Sequence, residues 1–224
     1  MAIVTVDFDG TLYQGNSFKA MFLVAEKEFT WKEWLLVSGG MVKAVGLGVW
    51  KGKQAFRHTF FKAFAKSFKG KTKQELDEFF NHLVLAGSHE VHQDLVHTIR
   101  EHQSKGDQVI ILSGALTPFL EAFIRELQLD VPVISTEILF DDQGYCTGEI
   151  GTIVNGQEKV RKIVDWIGEK MSHDETSRSD GDNLWAYADS ESDLPLLEFV
   201  NKPVVVNPNS TMKQIAEKNQ WPVF

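Results

Sequence analysis

Short apolar runs recur along the chain and alternate with longer stretches in which apolar residues repeat every three or four positions. The short runs are rich in β-branched residues and have the length of buried strands. They lie at positions 2–8, 108–112, 131–135, 184–188 and 203–206. The helical patterns lie at positions 91–102, 118–127, 158–171, 194–200 and 211–218. This alternation predicts an α/β fold, a doubly wound parallel sheet with helices on both faces.

Residues 17–85 break the alternation, because their patterns are helical throughout. Ser17 is placed to cap the first helix, and Trp31 begins a second. Phenylalanines fall on one face of a third helix, at positions 56, 60, 61, 64 and 68. They predict a packed helical core, with lining of a substrate lid as the alternative. Four glycines weaken 35–50 as a rigid helix and favour close helix packing or a hinge, at positions 39, 40, 46 and 48.

An all-helical stretch directly after the first strand predicts an inserted cap. We expect residues 1–13 and 88–224 to form the α/β core and residues 14–87 to form the helical cap. Asp141-Asp142-Gln143-Gly144 is a turn signal between two alternating runs, which predicts a β-hairpin. The polar residues 172–183 predict an exposed loop.

Charge is spread unevenly along the chain. The formal net charge is −8, yet residues 13–75 contain 12 Lys or Arg and 4 Asp or Glu, a net of +8. A basic segment beside an acidic body favours a small anionic substrate, although a solvated lysine-rich surface has the same composition. The lysines are spread over helical turns without a nucleic-acid motif, so we expect no nucleic-acid partner.

No pattern in the sequence predicts secretion or a membrane span. The first six residues have no basic region. The longest apolar stretch, 35–50, is too short for a confident span and contains Lys43. Cys146 is the single cysteine, so the chain cannot form an internal disulfide. We therefore expect a cytoplasmic protein.

Acidic and polar side chains follow three of the predicted strands. Asp7 and Asp9 follow the first strand, Ser113 the second and Asp189 the fourth. Ligands of parallel sheets bind at the carboxyl ends of the strands, so these residues are expected at one edge. Together with Asp193 the carboxylates would repel one another. The hard cation Mg²⁺ relieves that repulsion, so we expect Mg²⁺ as the cofactor.

Carboxylates alone cannot hold a phosphate, and the sequence offers donors for one. Ser113 supplies a hydroxyl and a backbone N–H, and Lys159 supplies a positive charge near the start of a helix. Of the two N-terminal aspartates, one is suited to attack phosphorus and the other to act as acid and base. The pattern favours a Mg²⁺-dependent phosphatase.

Four segments resemble, in order, the sequence motifs of the haloacid dehalogenase superfamily. They are Asp7-Phe8-Asp9-Gly10-Thr11-Leu12, Ile110-Ile111-Leu112-Ser113-Gly114, Asn155-Gly156-Gln157-Glu158-Lys159 and Tyr187-Ala188-Asp189-Ser190-Glu191-Ser192-Asp193-Leu194-Pro195. A complete ordered set is far more specific than any one motif. The likeness extends to the phosphoserine-phosphatase-like branch, subfamily IB, and implies a Rossmann-like core with a helical cap after the first motif.

The resemblance implies a role for each residue of the first and fourth motifs. Asp7 would be the nucleophile and a metal ligand through its carboxylate. Asp9 would be the general acid and base and would give its backbone carbonyl to the metal. Thr11 would help to position that acid and base. Asp189 would be a direct metal ligand.

The resemblance also implies a phosphate-binding set. Ser113 and Lys159 would hold the phosphoryl group, together with Gly10 and Gly114, and Lys159 would neutralise Asp7. Asp193 would support Lys159 or a metal-bound water. Lys162 is less suitable than Lys159 for this role, because it lies nearly one turn further into the helix.

The sequence departs from the branch at two places. Ser192 stands where the branch usually has Asn, a conservative polar change, and the early cap, residues 13–19, lacks the Glu of true phosphoserine phosphatases. Arg57 is the only Arg of the cap and is a possible substrate-binding residue. We therefore expect a small phosphorylated metabolite, with phosphoserine as a second candidate. The same sequence is compatible with a phosphotransferase and, less well, with a receiver-type signalling module or a catalytically silent binding protein.

Overall fold

The computed structural model describes residues 1–51, 53–173 and 183–224. Its strands are β1 (Ile3–Val6), β2 (Gln108–Leu116), β3 (Val133–Thr136), β4 (Ile138–Phe140), β5 (Cys146–Ile150), β6 (Leu184–Ala188) and β7 (Lys202–Val205). Its helices are α1 (Ser17–Glu28), α2 (Trp31–Lys51), α3 (Lys53–Ser67), α4 (Lys73–Gly87), α5 (Gln93–Ser104), α6 (Thr117–Glu126), α7 (Gln157–His173), α8 (Leu194–Phe199) and α9 (Ser210–Asn219).

Five strands form one parallel sheet in the order β3-β2-β1-β6-β7. β1 lies at the centre, where Val4 pairs with Val109 of β2 and with Trp185 of β6. Successive residues of β1 enter hydrophobic clusters on opposite faces of the sheet, as Ile3 and Val4 show. The predicted α/β fold with a doubly wound parallel sheet is therefore confirmed.

The predicted hairpin is also confirmed. β4 and β5 pair antiparallel around a turn in which Asp141 Oδ1 accepts hydrogen bonds from the N–H groups of Gln143 and Tyr145. Gly144 adopts a φ of +84° in this turn, a conformation that residues with a Cβ rarely adopt. The predicted loop 172–183 was only partly correct, because α7 continues to His173; residues 174–182 lie outside the described part of the chain.

Helices α1 to α4 are inserted between β1 and β2 and share a phenylalanine-rich core. Phe60, Phe61 and Phe64 of α3 are completely buried, as is Phe68 just beyond it. Burial of each such ring stabilises the fold by about 1.5–3 kcal/mol. These rings therefore form the packed core that the sequence predicts, and Phe56 alone of the five remains half-buried.

The inserted helices and their connections contact the rest of the fold at several places. The two connecting segments pair with each other, because Gln14 N–H donates to Glu90 O and His92 N–H donates to Leu12 O. Phe80 of α4 packs near Phe119 of α6. A further contact joins the hairpin to the segment after α3, where Gly70 N–H donates to Cys146 O and Cys146 N–H to Lys71 O.

One local prediction for the inserted helices was wrong. Asn16, not Ser17, caps α1, because its side chain accepts from the N–H groups of Phe18 and Lys19. Of the two alternatives for the glycines, the structure shows close helix packing: α2 is continuous over Trp31–Lys51. Gly40 allows α2 to approach α3, since a Cβ there would overlap the Cβ of Ala63. Among the described residues, no helix is long and apolar enough to cross a membrane.

Adjacent glycines of α2 provide a matched test of this packing. Gly40→Ala should lower the free energy of unfolding by about 1–3 kcal/mol, because the added methyl group overpacks the contact with Ala63. Gly39→Ala should raise it by up to about 1 kcal/mol, because a Cβ there meets no other atom and alanine favours the helix. Urea unfolding of both variants measures the difference. Equal effects would contradict the close α2–α3 contact.

Candidate active site

The carboxyl ends of three adjacent strands bring the predicted site residues to one edge of the sheet. Asp7 follows β1 and Asp189 follows β6, so both lie one residue beyond paired strand ends. Ser113 was expected after the second strand, but β2 continues to Leu116 and includes it. The pairing of β2 with β3 shifts register between Leu112 and Leu116, which locates Ser113 in an irregular part of the strand.

Lys159 lies in the first turn of α7 and its side chain reaches this edge of the sheet. Its Nζ atom lies 2.7 Å from Asp7 Oδ1 and 2.6 Å from Asp193 Oδ1. All three residues are buried, and Lys159 is only 2% exposed. Lys162 lies in the second turn and is half-buried. The helix therefore presents Lys159, and not Lys162, to the acidic residues.

Asp7, Asp189 and Asp193 form a compact acidic cluster. Each offers a carboxylate oxygen that lies within 4.8 Å of the other two. Burial raises the pKa of Asp7 to about 6, although the charge of Lys159 opposes the change. Burial, together with the charges of Asp7 and Asp193, raises the pKa of Asp189 to about 7. Three crowded carboxylates, of which Asp7 and Asp189 resist ionisation, fit a divalent cation, which takes oxygen ligands and removes the repulsion.

Lys159 remains protonated in this environment. Burial by itself would lower its pKa, but the negative charges of Asp193 and Asp7 outweigh that effect and raise it. The Ser190 hydroxyl donates to Asp193 Oδ2 at 2.7 Å and lies 2.7 Å from the Ser192 hydroxyl. The serine that departs from the usual fourth motif thus belongs to a chain of hydroxyl groups that ends on Asp193.

Gly10 makes the turn after β1 possible. Its φ is +84°, and a Cβ at this position would overlap the carboxylate of Asp189. The turn is closed by hydrogen bonds from Gly10 N–H to Tyr13 O and from Tyr13 N–H to Phe8 O. Glycine is therefore required both for the backbone conformation and for the approach of Asp189.

The Asp9 carboxylate contacts the first inserted helix. Its Oδ1 accepts from Ser17 N–H at 2.9 Å, and its Oδ2 accepts from the Ser17 hydroxyl at 2.6 Å. Ser17 is completely buried. Thr11, which the family resemblance links to the acid and base, instead donates to Asp189 Oδ1 at 3.3 Å.

Of the remaining predicted residues, Ser113 and Gly114 have contacts that the structure describes, whereas Arg57 does not. Ser113 is 1% exposed, and its hydroxyl oxygen accepts from Ala115 N–H. Gly114 is held by Thr136, whose hydroxyl donates to the Gly114 carbonyl. Arg57 lies in α3, but its side chain is outside the part of the chain that the structure describes in detail.

Sequence reasoning missed two supporting residues. Ser17 was interpreted as a helix cap, although a serine eight residues after an acidic strand end is also placed to hold Asp9. Thr136 ends β3 and supports both Gly114 and the N–H of Val154. Its position beside the second motif becomes apparent only from the strand order.

A model of the haloacid dehalogenase-like hydrolase family matches residues 4–198, which include all four motifs. The chain belongs to that family. The matched range includes the residues of the candidate site.

Curated relatives agree with this membership. A histidinol-phosphatase of Neisseria meningitidis is 32% identical over 127 residues, 56% of this chain and 55% of the relative. A probable phosphatase of Mycobacterium tuberculosis is 29% identical over 129 residues, 56% of this chain and 41% of the relative. The chain spans about half the length of the curated relatives it matches.

Two structural neighbours share the fold. A Bordetella pertussis protein of unknown function has a TM-score of 0.79 at 22% identity, with 99% of this chain and 97% of that chain covered. A probable phosphoserine phosphatase of Vibrio cholerae has a TM-score of 0.64 at 17% identity, with 95% and 58% covered. At these identities the likeness concerns the fold of a haloacid dehalogenase-like hydrolase.

The raised carboxyl pKa values predict a pH dependence of stability in metal-free protein. An aspartate in an unfolded chain has a pKa of about 4, so above that pH folded Asp7, up to about pH 6, and folded Asp189, up to about pH 7, hold protons that the unfolded chain has released. The free energy of unfolding should therefore fall as the pH rises from about 4 and should level off near pH 7, where both folded carboxyl groups have ionised. Urea unfolding in a chelator should show this decline, and Asp189→Asn should make it shallower. Parallel curves for the two proteins would contradict the assignment.

Proposed function

We propose that this haloacid dehalogenase-like hydrolase is a Mg²⁺-dependent phosphomonoester hydrolase that works through an aspartyl-phosphate at Asp7. The observation that carries the proposal is the pairing of Lys159 with Asp7 beside Asp189. A buried ammonium group keeps a nucleophilic carboxylate ionised, and the adjacent carboxylates offer ligands for the cation. The names of the Neisseria and Mycobacterium relatives support the same reaction class.

In the proposed first step, a carboxylate oxygen of Asp7 attacks phosphorus and the bond from phosphorus to the alcohol oxygen breaks. Asp9 gives its proton to the departing oxygen, so the alcohol leaves neutral. In the second step Asp9 takes a proton from water, whose oxygen attacks phosphorus. The bond between phosphorus and Asp7 then breaks, and inorganic phosphate is released.

The proposed phosphate site uses donors from three segments. Lys159 lies close enough to Asp7 to contact a phosphoryl group attached there, and the hydroxyl group of Ser113 lies at the same edge. Gly10 and Gly114 of the first and second motifs complete the proposed set. Mg²⁺, held by the carboxylates of Asp7 and Asp189 with the Asp9 carbonyl, would supply positive charge against the developing negative charge.

A small phosphorylated metabolite is the proposed substrate. Phosphoserine is a weaker candidate, because the early cap lacks the acidic residue that the phosphoserine branch carries. Histidinol phosphate belongs among the compounds to be tested, since the Neisseria relative is a histidinol-phosphatase. Transfer to a sugar or alcohol would use the same intermediate, and the acceptor would distinguish it from hydrolysis.

Replacement of the proposed nucleophile tests the function. Asp7→Asn should lower kcat for p-nitrophenyl phosphate on the order of 10³-fold or more, because an amide cannot form the intermediate. Excess EDTA should abolish wild-type turnover, and added Mg²⁺ should restore it. Asp142→Asn, an equal change in the exposed hairpin turn, is the matched control. Retention of a tenth of wild-type turnover by Asp7→Asn would contradict the assignment.

Ser17 should act as a positioning residue for the proposed acid and base. Loss of its hydroxyl in Ser17→Ala removes the donor at Asp9 Oδ2, so proton delivery to the leaving group should suffer. We expect kcat to fall about tenfold more for an alkyl phosphate than for p-nitrophenyl phosphate, whose leaving group needs little protonation. Ser104→Ala, at the exposed end of α5, is the control. An equal loss on both substrates would indicate a purely structural role.

A further inference from the structure

The outward side of α2 is apolar over most of its described length. Trp31 is 73% exposed, Leu35 67%, Val42 77% and Val45 53%. With Ser38 these residues follow one another at spacings of four and three, so they share one face of the helix. We call these five residues the α2 face. Contiguous exposed apolar side chains on the surface of a folded domain favour an interaction surface.

The opposite side of α2 already supplies the contacts with the fold. Val37 is completely buried, and Trp34 and Met41 pack against the main hydrophobic cluster. Gly40 lies against Ala63 of α3, whereas a Cβ at Gly39 would meet no atom. The α2 face therefore takes no part in these contacts.

Charge indicates the kind of partner. Positions 34–50 contain a single charged residue, Lys43, yet the surrounding segment 13–75 has a net charge of +8. At the N-terminal end of the α2 face, the Lys32 ammonium group lies 5.9 Å from the centre of a Trp31 ring. In the same segment, α1 exposes Lys19 and Lys27, although Glu26 and Glu28 beside Lys27 are exposed as well. A partner that matches these features has an apolar interior and an anionic surface.

Two other partners fit these features poorly. A second copy would bring two segments of net charge +8 together, and their repulsion opposes pairing of the two α2 faces. A nucleic acid is anionic but offers no apolar interior to an uncharged helix face. A bilayer that contains anionic lipids supplies both properties.

We propose that the α2 face docks on the surface of an anionic lipid bilayer. The helix lies along the interface, with Trp31, Leu35, Val42 and Val45 inserted among the acyl chains and the lysines beside the headgroups. The rest of the chain, which carries the balance of −16, is repelled by the same surface and stays in water. Docking requires none of the proposed catalytic residues, so it stands independently of the proposed function.

Vesicle flotation of the full chain tests this docking. Wild-type protein should float with vesicles of phosphatidylcholine and phosphatidylglycerol in equal parts, should not float with phosphatidylcholine alone, and should be released by high salt. Leu35→Glu/Val42→Glu should lower the ratio of bound to free protein about tenfold, because two charges then face the acyl chains. Both positions are exposed, so the fold should be retained.

Val164→Glu/Phe199→Glu is the matched control. It makes the same change in charge at two residues that are each 47% exposed and lie on α7 and α8, outside the inserted helices. This control should float about as well as the wild type, after thermal unfolding has verified that both double variants are folded. Equal flotation of the two variants would overturn the proposal, as would equal binding to neutral vesicles.

Light scattering without lipid completes the test. A wild-type monomer is expected. A wild-type dimer that Leu35→Glu/Val42→Glu converts to a monomer would assign the α2 face to self-association and would overturn the proposal. The same holds if wild-type protein fails to float with either vesicle.

Discussion

The arrangement of the site depends on the contacts of the buried Lys159 ammonium group with two carboxylates. It lies 2.7 Å from Asp7 and 2.6 Å from Asp193, with all three side chains almost wholly removed from solvent. A buried charge without a partner costs several kcal/mol, and one lysine offsets that cost for two carboxylates. Asp189 brings a third carboxylate whose pKa rises to about 7. The three carboxylates can carry more negative charge than Lys159 balances, which suits a divalent cation. In the absence of that cation, Lys159 favours the ionised form of Asp7.

The strand order makes this charge arrangement possible. β1 lies between β2 and β6, so residues far apart in sequence meet at one edge, with Gly10 leaving room for Asp189. The inserted helices reach the same edge through Ser17, which holds Asp9 with both its N–H and its hydroxyl. A helix that belongs to the insert thus orients the residue proposed to move protons. The position of the inserted helices therefore affects the proposed proton transfer by Asp9 at this edge of the sheet.

Local patterns in the sequence were sufficient for the strands, for most helices and for the meeting of Asp7 with Lys159, because buried strands and ordered motifs constrain one another. They were insufficient where a contact depends on tertiary packing. The glycines of α2 predicted close packing or a hinge, but not which glycine makes a contact: Gly40 approaches Ala63, whereas a Cβ at Gly39 would meet no atom. The contact of Ser17 with Asp9 was missed for a related reason: Asn16 took the capping role, and only the folded turn shows where the serine points.

The central claim, that Asp7 receives the phosphoryl group, is tested most directly by acid quench of the enzyme during turnover. Peptide mapping by mass spectrometry then locates any phosphoryl group on the chain. Attachment to Asp7, released by hydroxylamine as expected of an acyl phosphate, is the predicted result. Attachment to Ser113 or to any other residue, with Asp7 unmodified, would contradict the account.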